Sequence, residues 1–216
     1  MIKFVVCVPT ELELKLLAPR IGQHPACCVE VIGFGPVTAT ARTAWLIAEF
    51  QPERMFLLGI SGAYGSDLPI GSAAQFQKVA SYGVGVGTGA MHRSAFDVGF
   101  PQTQTLLPPG KQARSDILPL DFSAFHPSAE MLLSVCASAA DPVDVDLRLE
   151  QFPSASAEDM EGFGFAFACH QADVPAQIIR GISNIAGERN RALWRIEDAV
   201  DSAAKLFADV FDAVLC

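Results

Sequence analysis

Short apolar runs rich in β-branched residues alternate along this chain with segments of helical period. Residues 2–8, IKFVVCV, are bounded by Pro9 and suit a buried strand. Thr10 then opens a helix with Leu12, Leu16 and Leu17 on one side. VEVIGFG at 29–35 reads as a strand entering a glycine turn, and Pro36 opens a helix to about Phe50, proline being well placed in a first turn. RMFLLGI at 54–60 is again a strand, ending in the glycine-rich SGAYG.

Residues 72–84 predict one or two strands, with Gly83, Gly85, Gly87 and Gly89 marking a flexible loop after them. The proline-rich 101–121 has no clear period and reads as an excursion of the same domain. Helices are expected from about Ser128 to Ala140 and from about Ala157 to Ala172, with a strand over 175–183 between the second of these and the last helix. That helix, about 195–214, places Ile196, Val200, Ala203, Phe207, Val210 and Val214 on one stripe. No internal repeat is visible. Strands alternating with helices predict one α/β domain over 1–216 with a largely parallel or mixed sheet.

Half of the 216 residues are apolar and 18% are charged, which supports a substantial core. The net charge of −9 argues against a general grip on nucleic acid phosphates. It leaves room for a compact anionic ligand at a local positive spot. No apolar run approaches the ~18 residues of a membrane span, and the first apolar stretch is too short for a signal sequence. A soluble, cytoplasmic protein is expected. The six cysteines show no C-x-x-C spacing and the four histidines no paired spacing, so neither a disulfide framework nor a metal site is expected.

Four motifs carry candidate chemistry. GFGPVT at 33–38 lacks the third glycine of a dinucleotide fingerprint, having Thr38 there, and reads as a strand-to-helix turn. Thr10-x-x-Glu13 is a capping box, yet a carboxylate just past a buried first strand is also where α/β proteins place catalytic groups. Both readings stay open. Glu158, Asp159 and Glu161 crowd the start of an otherwise apolar helix, where they serve the helix dipole or mark a polyol or cation site. Met160 between them either walls a sugar ring or fills the core. RGISN at 180–184 ends a strand in a turn-forming Asn184 and runs into the charged, tryptophan-closed IAGERNRALW.

Taken together, VPTELELKLL, VIGFGPVTATA, LLGISGAYG, EDMEG, RGISN and the tail IAGERNRALWRIEDA, in that order, resemble the nucleoside phosphorylase and nucleosidase superfamily, and within it the futalosine hydrolases. The resemblance implies a three-layer α/β/α phosphorylase-like domain with a central mixed sheet flanked by helices, no cofactor, and a homodimer or higher homo-oligomer. It implies hydrolysis of a 6-oxopurine nucleoside, futalosine being the expected substrate, as in menaquinone biosynthesis. Another purine nucleosidase, or a nucleoside-binding relative with little turnover, are the alternatives.

In this reading Glu13 deprotonates the attacking water, Glu161 takes the ribose hydroxyls, and Asn184 donates to the purine. Ile60, Ser61 and Gly62 line the sugar side, with Asp159 and Met160 beside it. Pro9, Thr10, Glu11 and Glu13 stand where superfamily phosphorylases need a glycine and arginine cradle, which favours water over phosphate. Two departures are expected from the family pattern. Tyr82 stands at a position expected to be acidic, and 141–148 is too short for a further strand with its base-stacking loop.

Overall fold

In the computed structural model, which describes residues 2–215, the first apolar run becomes strand β1 (Phe4–Val8), buried at every position. Met1 and Cys216, which close the expected 1–216 domain and include one of the six cysteines, lie outside the described residues. Helix α1 (Glu11–Leu17), strand β2 (Cys27–Val31), helix α2 (Pro36–Phe50) and strand β3 (Arg54–Ala63) follow in the expected places. Strand β4 (Ala73–Tyr82) is single and continuous. The glycines after it carry a small exposed hairpin of β5 (Gly85–Val86) and β6 (Arg93–Ser94). The proline-rich excursion contributes β7 (Ile117–Pro119), which pairs with β4. Strand β8 (Ser128–Val135), helix α3 (Pro142–Gln151), strand β9 (Ala155–Asp159), helix α4 (Gly162–Gln171), strand β10 (Ala176–Ile185) and helix α5 (Ile196–Leu215) complete the order.

One mixed sheet of eight strands forms the middle layer. β2, β1, β3 and β10 run parallel, each beside the next. β10 then pairs antiparallel with β4, β4 parallel with β8, β8 parallel with β9, and β9 antiparallel with β3. Part of the sheet therefore closes on itself. The period of two along the strands sends alternate residues to opposite helical layers. Val5, Leu57 and Ile178 pack with Leu46 of α2 and Phe165 of α4. Val6, Phe56 and Leu58 pack with Leu17 of α1 and Phe207 of α5. Phe56 and Phe207 meet edge to face at 5.3 Å, and burying each contributes about 1.5–3 kcal/mol. The stripe expected on the last helix faces inward, with Val200, Ala203, Phe207 and Val210 buried. The three-layer α/β/α architecture with its central mixed sheet is the one expected.

Three local expectations are corrected. Residues 128–135 form strand β8, not a helix. Met131, Leu132 and Leu133 are all buried, because this strand is covered on both faces and so reads as a continuous apolar run of good helix formers. Residues 141–148, expected to be too few for a further strand and its loop, hold no strand; they begin helix α3, which Asp141 caps through the Val143 and Asp144 N–H groups, with Pro142 in the first turn. Second, the expected helix over 157–172 is split. Glu158 and Asp159 end strand β9, and the helix begins only at Gly162. Third, α1 turns Glu13 and Leu17 inward, four residues apart, whereas Leu12 is 64% exposed.

Candidate functional site

A cleft of about 300 Å³ opens where the C-terminal ends of β1, β3 and β10 meet the end of β9. This is the crevice position at which open parallel sheets take ligands. All eight residues singled out in the sequence line it: Glu13, Ile60, Ser61, Gly62, Asp159, Met160, Glu161 and Asn184.

Glu13 begins as a capping residue and ends as something else. Its N–H donates to Thr10 Oγ1 at 3.2 Å, as a capping box requires. Its carboxylate does not return to the Thr10 N–H. Instead Oε1 accepts from the Ile60 N–H of β3 at 3.1 Å, and Oε2 accepts from the Thr10 hydroxyl at 2.7 Å. The residue is 7% exposed. Burial raises its pKa, while the Arg180 guanidinium pulls it back.

Arg180, in the middle of β10, is the residue that sequence reading left without a part. It is fully buried, and a charge there must be matched by opposite charge. Nε donates to Asp159 Oδ2 at 3.1 Å, Nη2 pairs with the same oxygen, and Nη2 also reaches Glu161 Oε2 at 3.3 Å. Its third nitrogen, Nη1, has no hydrogen-bond partner among the described residues. The cluster fits only because residue 59 is glycine. A β-carbon there would collide with Nη1 and stand 2.7 Å from Glu13 Oε1. The signal in the sequence was an arginine inside the apolar run AQIIRGI.

Asp159 is fully engaged within the protein. Oδ1 accepts from Ser134 Oγ at 2.6 Å, and Oδ2 takes the Gly162 N–H at 2.9 Å besides Arg180. It orients Arg180 and the start of α4. Glu161 is freer. Oε1 accepts from the Gly35 N–H at 3.0 Å, and Oε2 from Arg180. Burial pushes its pKa up to about 7, against the pull of Arg180 and with the push of Asp159.

Asn184 follows a register shift of β10 against β3, between Ile182 and Asn184, which re-aims the strand end. The Ser183 hydroxyl donates to its Oδ1 at 2.8 Å, and Nδ2 donates to the Ile185 carbonyl at 2.8 Å. The amide oxygen is thereby occupied, and one N–H of the amide remains to be given. Ser61 Oγ, also lining the cleft, is buried without a partner among the described residues. The mouth carries Phe34, Arg189, Arg191 and Trp194, so the charged segment after β10 borders the cleft. Tyr82 does not line it. Its ring lies under the Arg148 guanidinium at 5.4 Å and beside His92 at 4.9 Å.

Among the described residues no group of three or more His, Cys, Asp or Glu side chains is arranged to hold a metal ion, and no helix is long and apolar enough to cross a membrane. The cleft instead has three buried carboxylates, Glu13, Asp159 and Glu161, around Arg180, with an amide donor in the same lining. It can orient hydroxyls, hold a base for a proton, and donate to a polar heterocycle.

Residues 7–215 match the sequence profile of the Phosphorylase superfamily. Futalosine hydrolase of Streptomyces coelicolor is 33% identical over 183 residues, covering 81% of this chain and 75% of that protein. The 5′-methylthioadenosine/S-adenosylhomocysteine nucleosidase of Shewanella pealeana is 29% identical over 159 residues, 70% of this chain and 65% of that one. In structure, the nucleosidase of that name from Neisseria meningitidis, in complex with methylthio-immucillin-A, superposes with a TM-score of 0.78 at 20% identity, over 99% of this chain and 100% of its own. Futalosine hydrolase of Helicobacter pylori gives 0.77 at 18% identity, over 98% of each chain. With a profile match from Cys7 to the last described residue and that order of strands and helices, this chain belongs to the phosphorylase superfamily.

Proposed function

We propose that the chain hydrolyses the N-glycosidic bond of a 6-oxopurine nucleoside, futalosine being the preferred substrate. The observation that carries the reading is the buried Glu13 carboxylate, held by Ile60 N–H and Thr10 Oγ1 in the same cleft as Glu161 and Asn184. The futalosine hydrolase likeness supports the choice of substrate, and the nucleosidase relatives support the bond.

Breaking this bond builds positive charge on the ribose and negative charge on the departing base. Glu161, ionised, accepts from the ribose 2′- and 3′-hydroxyls and lies where it favours the cationic transition state. Glu13 holds and deprotonates the attacking water. Arg180 sets the charge of both carboxylates, and Asp159 holds Arg180. The free N–H of Asn184 donates to O6 or N7 of the base as charge arrives there. Ile60, Ser61, Gly62 and Met160 line the sugar. Water rather than phosphate is the nucleophile, because a phosphate anion beside the Glu13 carboxylate would be repelled by several kcal/mol at low dielectric. We also read the chain as a cytoplasmic homodimer or higher homo-oligomer of menaquinone biosynthesis, without a cofactor.

Glu13→Gln tests the assignment. It should leave nucleoside binding nearly intact by calorimetry and lower turnover by roughly 10²–10⁴, the span of a general base. A fully active variant would leave Glu13 only its part in capping α1.

A further inference from the structure

The cleft wall holds a second buried ion pair, distinct from Arg180 and its carboxylates, of which Glu158 lines the cleft. Glu158 of β9 and Arg148 of α3 are each about 5% exposed and pair directly. Both then reach into the loop that follows β8. Arg148 Nη2 donates to the Ala137 carbonyl at 2.9 Å, and the Ala139 N–H donates to Glu158 Oε1 at 2.8 Å. The Tyr64 hydroxyl donates to Glu158 Oε2 at 2.7 Å. Burial, first, and then the neighbouring carboxylate hold that phenol well above its ordinary range, so it stays a donor.

The loop so gripped carries Ser138 and Ala139 into the lining of the cleft. From its other side the loop meets the segment after β10. Arg189 Nη1 donates to Ser138 Oγ at 3.2 Å, and Gly187 lies so close to Asp141 that a β-carbon there would stand 2.8 Å from its carbonyl. Asn184 is the next-to-last residue of β10, the strand that runs into that segment. A buried ion pair is seldom worth its desolvation as a source of stability alone. Besides the Tyr64 hydroxyl, this one binds two backbone groups of a single three-residue stretch.

We propose that Arg148 and Glu158 are positioning residues that fix the 137–139 loop, and through Ser138 the segment that follows Asn184, and thereby set the affinity of the cleft for the purine base. The inference rests on the proposed function, in which Asn184 faces the base. The fork of Arg148 is the working part: one nitrogen holds Glu158 while the other holds the Ala137 carbonyl. A lysine keeps the charge and cannot make both contacts.

The test compares the wild type with Arg148→Lys and with the apolar pair Arg148→Met/Glu158→Leu. Two readouts are taken: hypoxanthine binding by calorimetry, and the KM and kcat of nucleoside hydrolysis. Arg148→Lys should raise the Kd for hypoxanthine and the KM by roughly tenfold, the effect of one misplaced buried polar contact, with kcat changed less than threefold. The apolar pair should raise both further. Unchanged Kd and KM in Arg148→Lys would overturn the proposal, as would a fall in kcat at constant KM. If the apolar pair does not fold, Arg148→Lys decides alone. A wild type that binds no hypoxanthine would instead sink the functional reading, and the proposal with it.

Discussion

Glu161 is placed so that its charge is conditional. Its pKa of about 7 in the folded protein lies above its value in the unfolded chain, because burial outweighs the pull of Arg180. Folding therefore favours the protonated form. The stability this brings is fully present below the unfolded pKa and is lost as pH rises through about 7. Denaturant midpoints measured from pH 5 to pH 8 should fall more steeply in the wild type than in Glu161→Gln. Equal slopes would remove the conditional charge. Activity should move in the opposite sense, since the ionised form accepts the ribose hydroxyls. The wild-type kcat/KM should decline as pH drops below about 7.

Asn184 offers a second test at the same scale. A 6-oxopurine presents acceptors at O6 and N7, which the amide N–H matches, whereas a 6-aminopurine presents a donor beside N7. An ionised Asp would set lone pairs against lone pairs there, and a protonated one matches the 6-aminopurine edge. Asn184→Asp should shift the oxo-to-amino ratio of kcat/KM by roughly ten- to a hundredfold, for a misplaced buried contact of about 1–3 kcal/mol. An unchanged ratio would make RGISN an ordinary strand end.

At the scale of elements, β10 places both charged and small residues by necessity. Arg180 is carried into the cluster, and Gly181 beside it lets α5 lie against the strand. A β-carbon on Gly181 would collide with the Ala199 carbonyl. Gly181→Ala should cost about 1–3 kcal/mol by overpacking, read as a lower unfolding midpoint. A variant of wild-type stability would mean that α5 can shift freely. The strands bounded by proline and glycine, and the amphipathic α5, were legible because their periods are strong. β8 was not. From Met131 onward it is buried on both faces and shows no alternation, and Ala129, Met131, Leu132 and Leu133 favour a helix on propensity alone. The same misreading made α3 seem absent and hid Arg148. Of the cleft, the residues were legible from motifs, whereas the ties among them were not. That Asp159 is spent on Arg180 and Ser134 depends on strands brought together from distant parts of the chain.

For the whole molecule, the closed part of the sheet gathers β3, β9 and β10 at one end, with β1 beside β3, so residues 13, 60–62, 158–161 and 184 share one cleft. Several large apolar side chains remain outward, among them Met91 and Phe100 at 79% and Phe125 at 96% exposed. Sedimentation at micromolar concentration should give a dimer or larger, and a monomer would contradict the oligomer reading. The central claim, hydrolysis of a 6-oxopurine nucleoside, is tested most directly by incubating the purified protein with futalosine, inosine and 5′-methylthioadenosine, with and without phosphate. Free base is followed by chromatography. The account predicts hypoxanthine from futalosine at the highest rate, at equal speed in phosphate-free buffer. Release that requires phosphate, release of adenine alone, or no base from any of the three would contradict it.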